Sequence, residues 1–225
     1  FNQAVDGGAV YCAGTFSVTK SSAIENNTAT GDGGALYVNN GSINLAENTF
    51  LGNNANRGGA VYLTGGSLTA SGNSTVQSNY STAEGGAFYV NNGSIELATN
   101  SFSGNSAASG GAVYLTTGNI KAGASTIENN YATGNGGAFY VENGNVEVTS
   151  ATISGNGKNG STATTDNGGA IYVEGTGAGF KATGDASIFS NAAENKGGAI
   201  YVKGGSITLA KNTITSNSAA TGGAI

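Results

Sequence analysis

Catalysis and metal binding need groups that take or give protons, attack, or coordinate, and this chain offers few of them. It has no histidine, and Asp6, Asp32, Asp166 and Asp185 stand isolated in sequence. Glycoside hydrolysis requires two carboxyl groups facing one site, and lyase chemistry requires a base with a cation or metal beside the substrate acid. The nearest approach to such a set is Asn44, Thr69, Glu96, Lys121, Glu147, Lys181 and Thr208, which recur at one position of a repeat. Their alternation of Glu and Lys reads as exposed ion pairing, each pair contributing little. Cys12 is the only cysteine and holds an apolar repeat position, so it reads as a small buried hydrophobe without a disulfide or metal partner. "TGDGGALYV", residues 30–38, is superficially like a calcium-binding nonapeptide, but the repeat is too long and aspartate too scarce. The expectation is a non-enzymatic chain that uses no cofactor.

The element carrying these residues is a repeat. A glycine pair followed by alanine and an apolar residue has its first glycine at 7, 33, 58, 85, 110, 136, 168, 197 and 222. The spacings are 26, 25, 27, 25, 26, 32, 29 and 25, which means stacked supersecondary units. Two more phrases share the period: "GSI" and its variants from residue 41 onward, and an apolar residue, two spacers and asparagine. Each segment alternates apolar with polar residues over too few positions for a helix, so each period holds three short strands. With no two-residue hairpin signal between them, successive turns of chain must stack in parallel. The fold class is all-β, a right-handed parallel β-helix with three strands per coil of about 26 residues. Residues 1–225 read as one domain of about nine coils, a rod on the order of 40 Å long.

Alternation sorts inside from outside. Leu36 and Val38, Val61 and Leu63, or Ile171 and Val173 must face inward, which sends the preceding alanine and the intervening tyrosine outward. Tyr11, Tyr37, Tyr62, Tyr89, Tyr114, Tyr140, Tyr172 and Tyr201 are expected to form an exposed ladder, either a stacking device or an aromatic platform for sugars or a partner protein. Asn27, Asn53, Asn79, Asn105, Asn130, Asn156, Asn191 and Asn217 sit at a turn. There asparagine tolerates a left-handed backbone and its amides bond from coil to coil. The paired glycines mark a tight corner and no phosphate loop, since no helix follows and no lysine stands at the required offset.

The period breaks in one coil. The ladder asparagine is followed closely by the next glycine pair in seven repeats, as from Asn53 to Gly58 or from Asn130 to Gly136, whereas Asn156 and Gly168 are held apart by an insertion at 157–167. A second insertion lies at 174–179. Loops on such rods face solvent and often carry binding. Lys158, Asn159, Ser161, Thr162, Thr165, Asp166 and Thr176 supply hydrogen-bonding groups there, suited to a sugar or a protein surface.

Composition limits the partners. With 40 glycines, no proline, no tryptophan and no methionine in 225 residues the chain is biased, yet 38% of it is hydrophobic at fixed spacing, so it folds around a core. A net charge of -5 with a single arginine, Arg57, leaves no basic stripe, and nucleic acid is not expected. No apolar run approaches the ~18 residues of a membrane span. The chain starts at Phe1 inside an incomplete repeat and is read as mature or cut from something larger, with bare terminal coils open to further repeats or to copies of itself.

"GGAVY", "GGAIY" and "GGAI" alternating with "FLGN", "FSGN" and "ISGN" resemble the repeat pair of chlamydial polymorphic membrane proteins and related bacterial surface proteins. The resemblance covers the whole chain. It implies an extracellular β-helical autotransporter passenger on a bacterial cell surface or outer membrane, acting as an adhesin toward a host surface protein or glycan. The alternative is a structural protein that stacks end to end into a filament or coat.

Overall fold

The computed structural model describes residues 1–18 and 21–225. The chain winds into stacked coils, and every ladder that joins one coil to the next is parallel. Each coil carries a tyrosine strand (Leu36–Asn39, Val61–Thr64, Ile171–Val173), a second strand (Ser42–Ala46, Gly179–Thr183) and a third (Thr49–Leu51, Thr152–Ser154). In the middle of the rod these strands run together, the second and third in Ser67–Gln77 and all three in Phe88–Ser103. A fourth strand of two residues, such as Asn54–Ala55 or Ser106–Ala107, follows the ladder asparagine and builds a narrow sheet of its own. It is too short to show a period-2 pattern, which is why sequence reading gives three strands per coil. Coils of unequal length stay aligned because the difference is absorbed in register shifts between Ala70 and Asn73 and around Asn91.

The core is a set of apolar columns in which each residue meets its counterpart a coil away: Val61 pairs with Leu36 and Phe88, Leu68 with Ile43 and Ile95. Phe88 packs edge-on against Phe50 and Phe102, with ring centroids 6.5 and 5.2 Å apart. Cys12 joins its column, buried, with Sγ donating to the Gly14 carbonyl at 2.8 Å.

The alanines expected to face outward do not. Ala35, Ala60, Ala87, Ala112, Ala138, Ala170 and Ala199 are fully buried members of the core. Strand alternation fails there because two consecutive N–H groups aim at one acceptor: Ala35 N and Leu36 N both donate to the Ala60 carbonyl, at 3.0 and 2.9 Å. The corner adds a residue before the pleat begins.

The two glycines of each pair are required for different reasons. The first has φ between 60 and 67° at all nine corners, a left-handed backbone that costs other residues strain. The second has no room for a side chain: a Cβ on Gly86 would lie 2.1 Å from the Gly111 carbonyl oxygen, and the same clash recurs from Gly34 to Gly198.

The asparagine ladder is continuous and buried. Asn53 Oδ1 accepts from both the backbone N–H and the side-chain amide of Asn27, at 3.0 Å each, while Asn53 Nδ2 donates to Asn79 Oδ1 and to the Ile24 carbonyl. This pattern repeats to Asn217. The left-handed residue of this corner is the one before the ladder asparagine, as in Asn26, Gly52, Ser78 and Gly104. The ladder position is therefore held by hydrogen bonding alone. A second polar column, Asn48, Ser74, Asn100 and Ser125, makes backbone-to-side-chain bonds of 3.1 to 3.3 Å at the next corner.

Two substitutions separate these constraints. Asn105→Ala removes the acceptor of Asn79 N–H and Nδ2 and the donor to the Val76 carbonyl, all buried. At about 1–3 kcal/mol for each unsatisfied group, the expected loss is at least about 3 kcal/mol in urea unfolding. Gly86→Ala forces a backbone clash that no rotamer relieves and is expected to cost about as much. A loss below about 1 kcal/mol in either variant would contradict the corner as described.

Candidate functional site

Three surfaces gather the polar and aromatic groups. The first is the tyrosine face. Parallel register places Tyr37 against Tyr11 and Tyr62, and so on to Tyr201. The side chains point away from the core, and none belongs to the core cluster. Ring centroids follow one another at 5.0, 5.0, 4.9, 5.4, 4.5, 4.8 and 5.5 Å, stacked or slightly tilted. The ladder is nonetheless not exposed as sequence predicts. Tyr62, Tyr89 and Tyr172 are buried, and only Tyr11 is open, at 56%. Stacking covers both faces of every interior ring and leaves an edge to solvent, so no interior ring face is free for a sugar to lie on.

Charged residues border the row. Arg57 lies over Tyr62 and Tyr89, 5.0 and 5.1 Å from the ring centroids, and forks onto Asp32 at 2.6 and 3.0 Å. On the other border Tyr114 O–H donates to Glu142 at 3.4 Å, and Tyr140 O–H donates to Glu174, which Lys203 also clasps. Burial raises the phenol pKa of Tyr37, Tyr89, Tyr114, Tyr140 and Tyr172, and pushes Tyr62 up to about 12. Hydrogen bonds from Lys203 and Tyr140 hold the Glu174 carboxyl below its ordinary value. Sequence reading missed these partners, although the signal was present: Glu142, Glu174 and Lys203 each stand two residues after a ladder tyrosine, the next outward position of the same strand.

The second surface lies over the second strands. Glu96 pairs in register with Lys121, Lys121 with Glu147, and Glu147 with Lys181. Among the described residues of this column only Lys181 and Glu147 close to an ion pair, at 2.6 Å. Ser94, Glu96, Asn119, Lys121, Asn145 and Glu147 line a shallow trough of about 190 Å³. Lys181 lowers the Glu147 pKa, the opposite of what a proton donor at neutral pH needs.

The third surface is the long insertion, which folds into a small antiparallel hairpin, Lys158–Asn159 against Thr162–Ala163. Its feet are tied together, Thr164 N donating to the Gly157 carbonyl at 2.9 Å. Asn159, Ser161 and Thr162 are exposed, and Lys158 and Asp166 are half-buried. Thr165 is a correction to the candidate set. It is fully buried, its hydroxyl donates to the Ala132 carbonyl at 3.0 Å, and it accepts from Ala132 N–H at 3.2 Å. The hairpin diverts the chain where other coils place the two-residue strand, and this hydroxyl replaces the lost strand partner. Thr176, although exposed, sits in the other insertion, a turn closed by Ala178 N to the Gly175 carbonyl. The two insertions leave the coil at opposite ends of Ile171–Val173, so Thr176 is separated from the hairpin by that strand.

A family model described as the right-handed beta helix region matches residues 8–176, about three-quarters of the chain. The chain belongs to the right-handed β-helix family. A second model, the Chlamydia polymorphic membrane protein repeat, matches residues 185–203. That stretch of the β-helix contains one ladder asparagine, Asn191, and one glycine corner, Gly197 and Gly198. No curated protein and no solved structure matches the chain. Among the described residues no helix is long and apolar enough to cross a membrane.

The tyrosine face of the β-helix predicts an alkaline transition. A phenol whose folded pKa lies above its ordinary value of 10.0 adds stability that is full below pH 10 and lost as pH rises through the folded value, about 12 for Tyr62. Phenolate absorbance of the six interior rings, Tyr37 to Tyr172, is expected to lag free tyrosine, and strand circular dichroism to collapse between those limits. Ionisation of those six rings near pH 10 with the coils intact would refute the burial described.

Proposed function

We propose that this chain is a non-enzymatic, passenger-like β-helix of a bacterial surface protein, and that it holds the 158–163 hairpin out for binding to a host surface protein or a glycan. The observation that carries the reading is the hairpin itself. In a rod whose other corners close in one short turn, as from Asn130 to Gly136, the corner from Asn156 to Gly168 carries an exposed element that the coil does not need. The polymorphic membrane protein repeat at 185–203 supports the surface assignment, since that family is bacterial and membrane-associated by its description. The hairpin offers hydroxyl, amide and ammonium groups without a paired carboxylate, which suits recognition better than bond cleavage.

Deletion of 158–163 is the direct test. It returns the connection from Asn156 to Gly168 to the length used between Asn130 and Gly136, and joins Gly157 to Thr164, which already share a hydrogen bond. The variant is expected to keep its circular dichroism and melting temperature within a few degrees while losing adhesion to host cells and signal on glycan and surface-protein arrays. Full binding by the folded deletion variant would rule the hairpin out.

A further inference from the structure

We propose that the stacked tyrosines conduct oxidising equivalents along the rod and hold them as a phenoxyl radical on Tyr114 and Tyr140. The eight rings are contiguous, and no centroid separation exceeds 5.5 Å, close enough for one-electron exchange between neighbours. The open end ring, Tyr11, can meet a one-electron oxidant in solution, while Tyr62, Tyr89 and Tyr172 are buried but for an edge.

The charges around the row set where the radical rests. Removing an electron from a phenol makes its O–H strongly acidic, so the radical persists where a base accepts the proton. Tyr114 and Tyr140 are the ladder tyrosines whose hydroxyls donate to carboxylates among the described residues. They are also the closest pair, at 4.5 Å. On one side Arg57 covers Tyr62 and Tyr89, and on the other Lys196 stands 5.7 Å from the Tyr201 ring. A cation over a ring disfavours loss of an electron from it. The result is a low point in the middle of the row with a step up on either side.

The step balances. A one-electron oxidant takes an electron from Tyr11, whose phenolic proton passes to water. At each hop the next phenol gives its electron to the radical and its proton to water, or for Tyr114 to the Glu142 carboxylate, and the same acceptor re-protonates the phenolate left behind. Last, Tyr140 gives its electron to Tyr114 and its proton to the Glu174 carboxylate. The net change is one electron to the oxidant and one proton from Tyr140 to Glu174.

The test uses the whole chain, illuminated with tris(bipyridine)ruthenium(II) and persulfate in the presence of a nitroso spin trap, with the adducts located by peptide mass spectrometry. Adducts are expected to concentrate on Tyr114 and Tyr140, ahead of Tyr80, which is more open but lies outside the row. Tyr89→Phe keeps a stacked ring and removes the oxidisable phenol, so it should cut the Tyr114 and Tyr140 adducts several-fold and raise those on Tyr11 and Tyr37. Glu174→Gln, a change at a surface ion pair, should shift the adduct from Tyr140 to Tyr114. Adducts that follow exposure alone and stay unchanged in Tyr89→Phe would overturn the proposal. Should that variant fail to fold, an unchanged Tyr140 to Tyr114 ratio in Glu174→Gln would overturn it as well.

Discussion

Outside the insertions, the strand and corner residues of each coil meet their own counterparts one coil away, at about 4.8 Å, and the rest of the structure follows from that coincidence. A group can be repeated down the rod only if it tolerates its own copy as a neighbour. Asparagine does, because its amide is donor and acceptor at once and closes onto the next amide without leftover valence. Tyrosine does, because rings stack. The second glycine of each corner does, because nothing larger than hydrogen fits beneath the next carbonyl. Charges do not, so the outer columns either mix sign, as in Glu96, Lys121, Glu147 and Lys181, or dilute charge with Asn, Ser and Thr. The low charge and high glycine content of the sequence are consequences of this self-neighbour rule.

The same rule explains what could be read from sequence. Period, strand register and the in-or-out sorting of Leu36, Val38 and their equivalents were legible because repetition displays them eight times over. What escaped was set by geometry inside one coil or between two. The alanine corner breaks alternation through a shared acceptor, which no pattern of residue types encodes. The tyrosines alternate outward as expected, but their burial comes from ring on ring, a property of the stack and not of the strand. Thr165 looked like one more loop hydroxyl; only the diverted backbone shows that Ala132 needs it. The Glu142 and Glu174 partners of the tyrosines could have been found by extending the outward column two residues further.

A repetitive surface is a poor discriminator, since a ligand that fits one coil fits its neighbours. A surface feature that marks one place on the rod can therefore arise only where the repeat fails, and the largest failure is the hairpin between Asn156 and Gly168. The tyrosine face is repetitive in ring but not in border: Asp32 and Arg57 occupy one stretch, Glu142, Glu174 and Lys203 another. Position along that face is encoded by charge, while continuity is encoded by the rings.

The insertions also show how a rod of this kind tolerates novelty. Between Asn156 and Asn191 the chain spends 35 residues, more than any other ladder step, because both insertions fall in that coil. Yet Asn156 N and Nδ2 reach Asn191 Oδ1 at 2.9 Å, the same distance found where a coil has 26 residues. The Ile171–Val173 strand that separates the insertions keeps register with Phe139–Val141 below and Ile200–Val202 above. In a stack where each coil touches only its neighbours, an extra loop perturbs stability only through the backbone groups it unpairs. Here that group is Ala132, and a single threonine hydroxyl satisfies it. The cost of adding an exposed element is thus confined to one corner, which is why a fold of near-identical coils can vary its surface without altering its core.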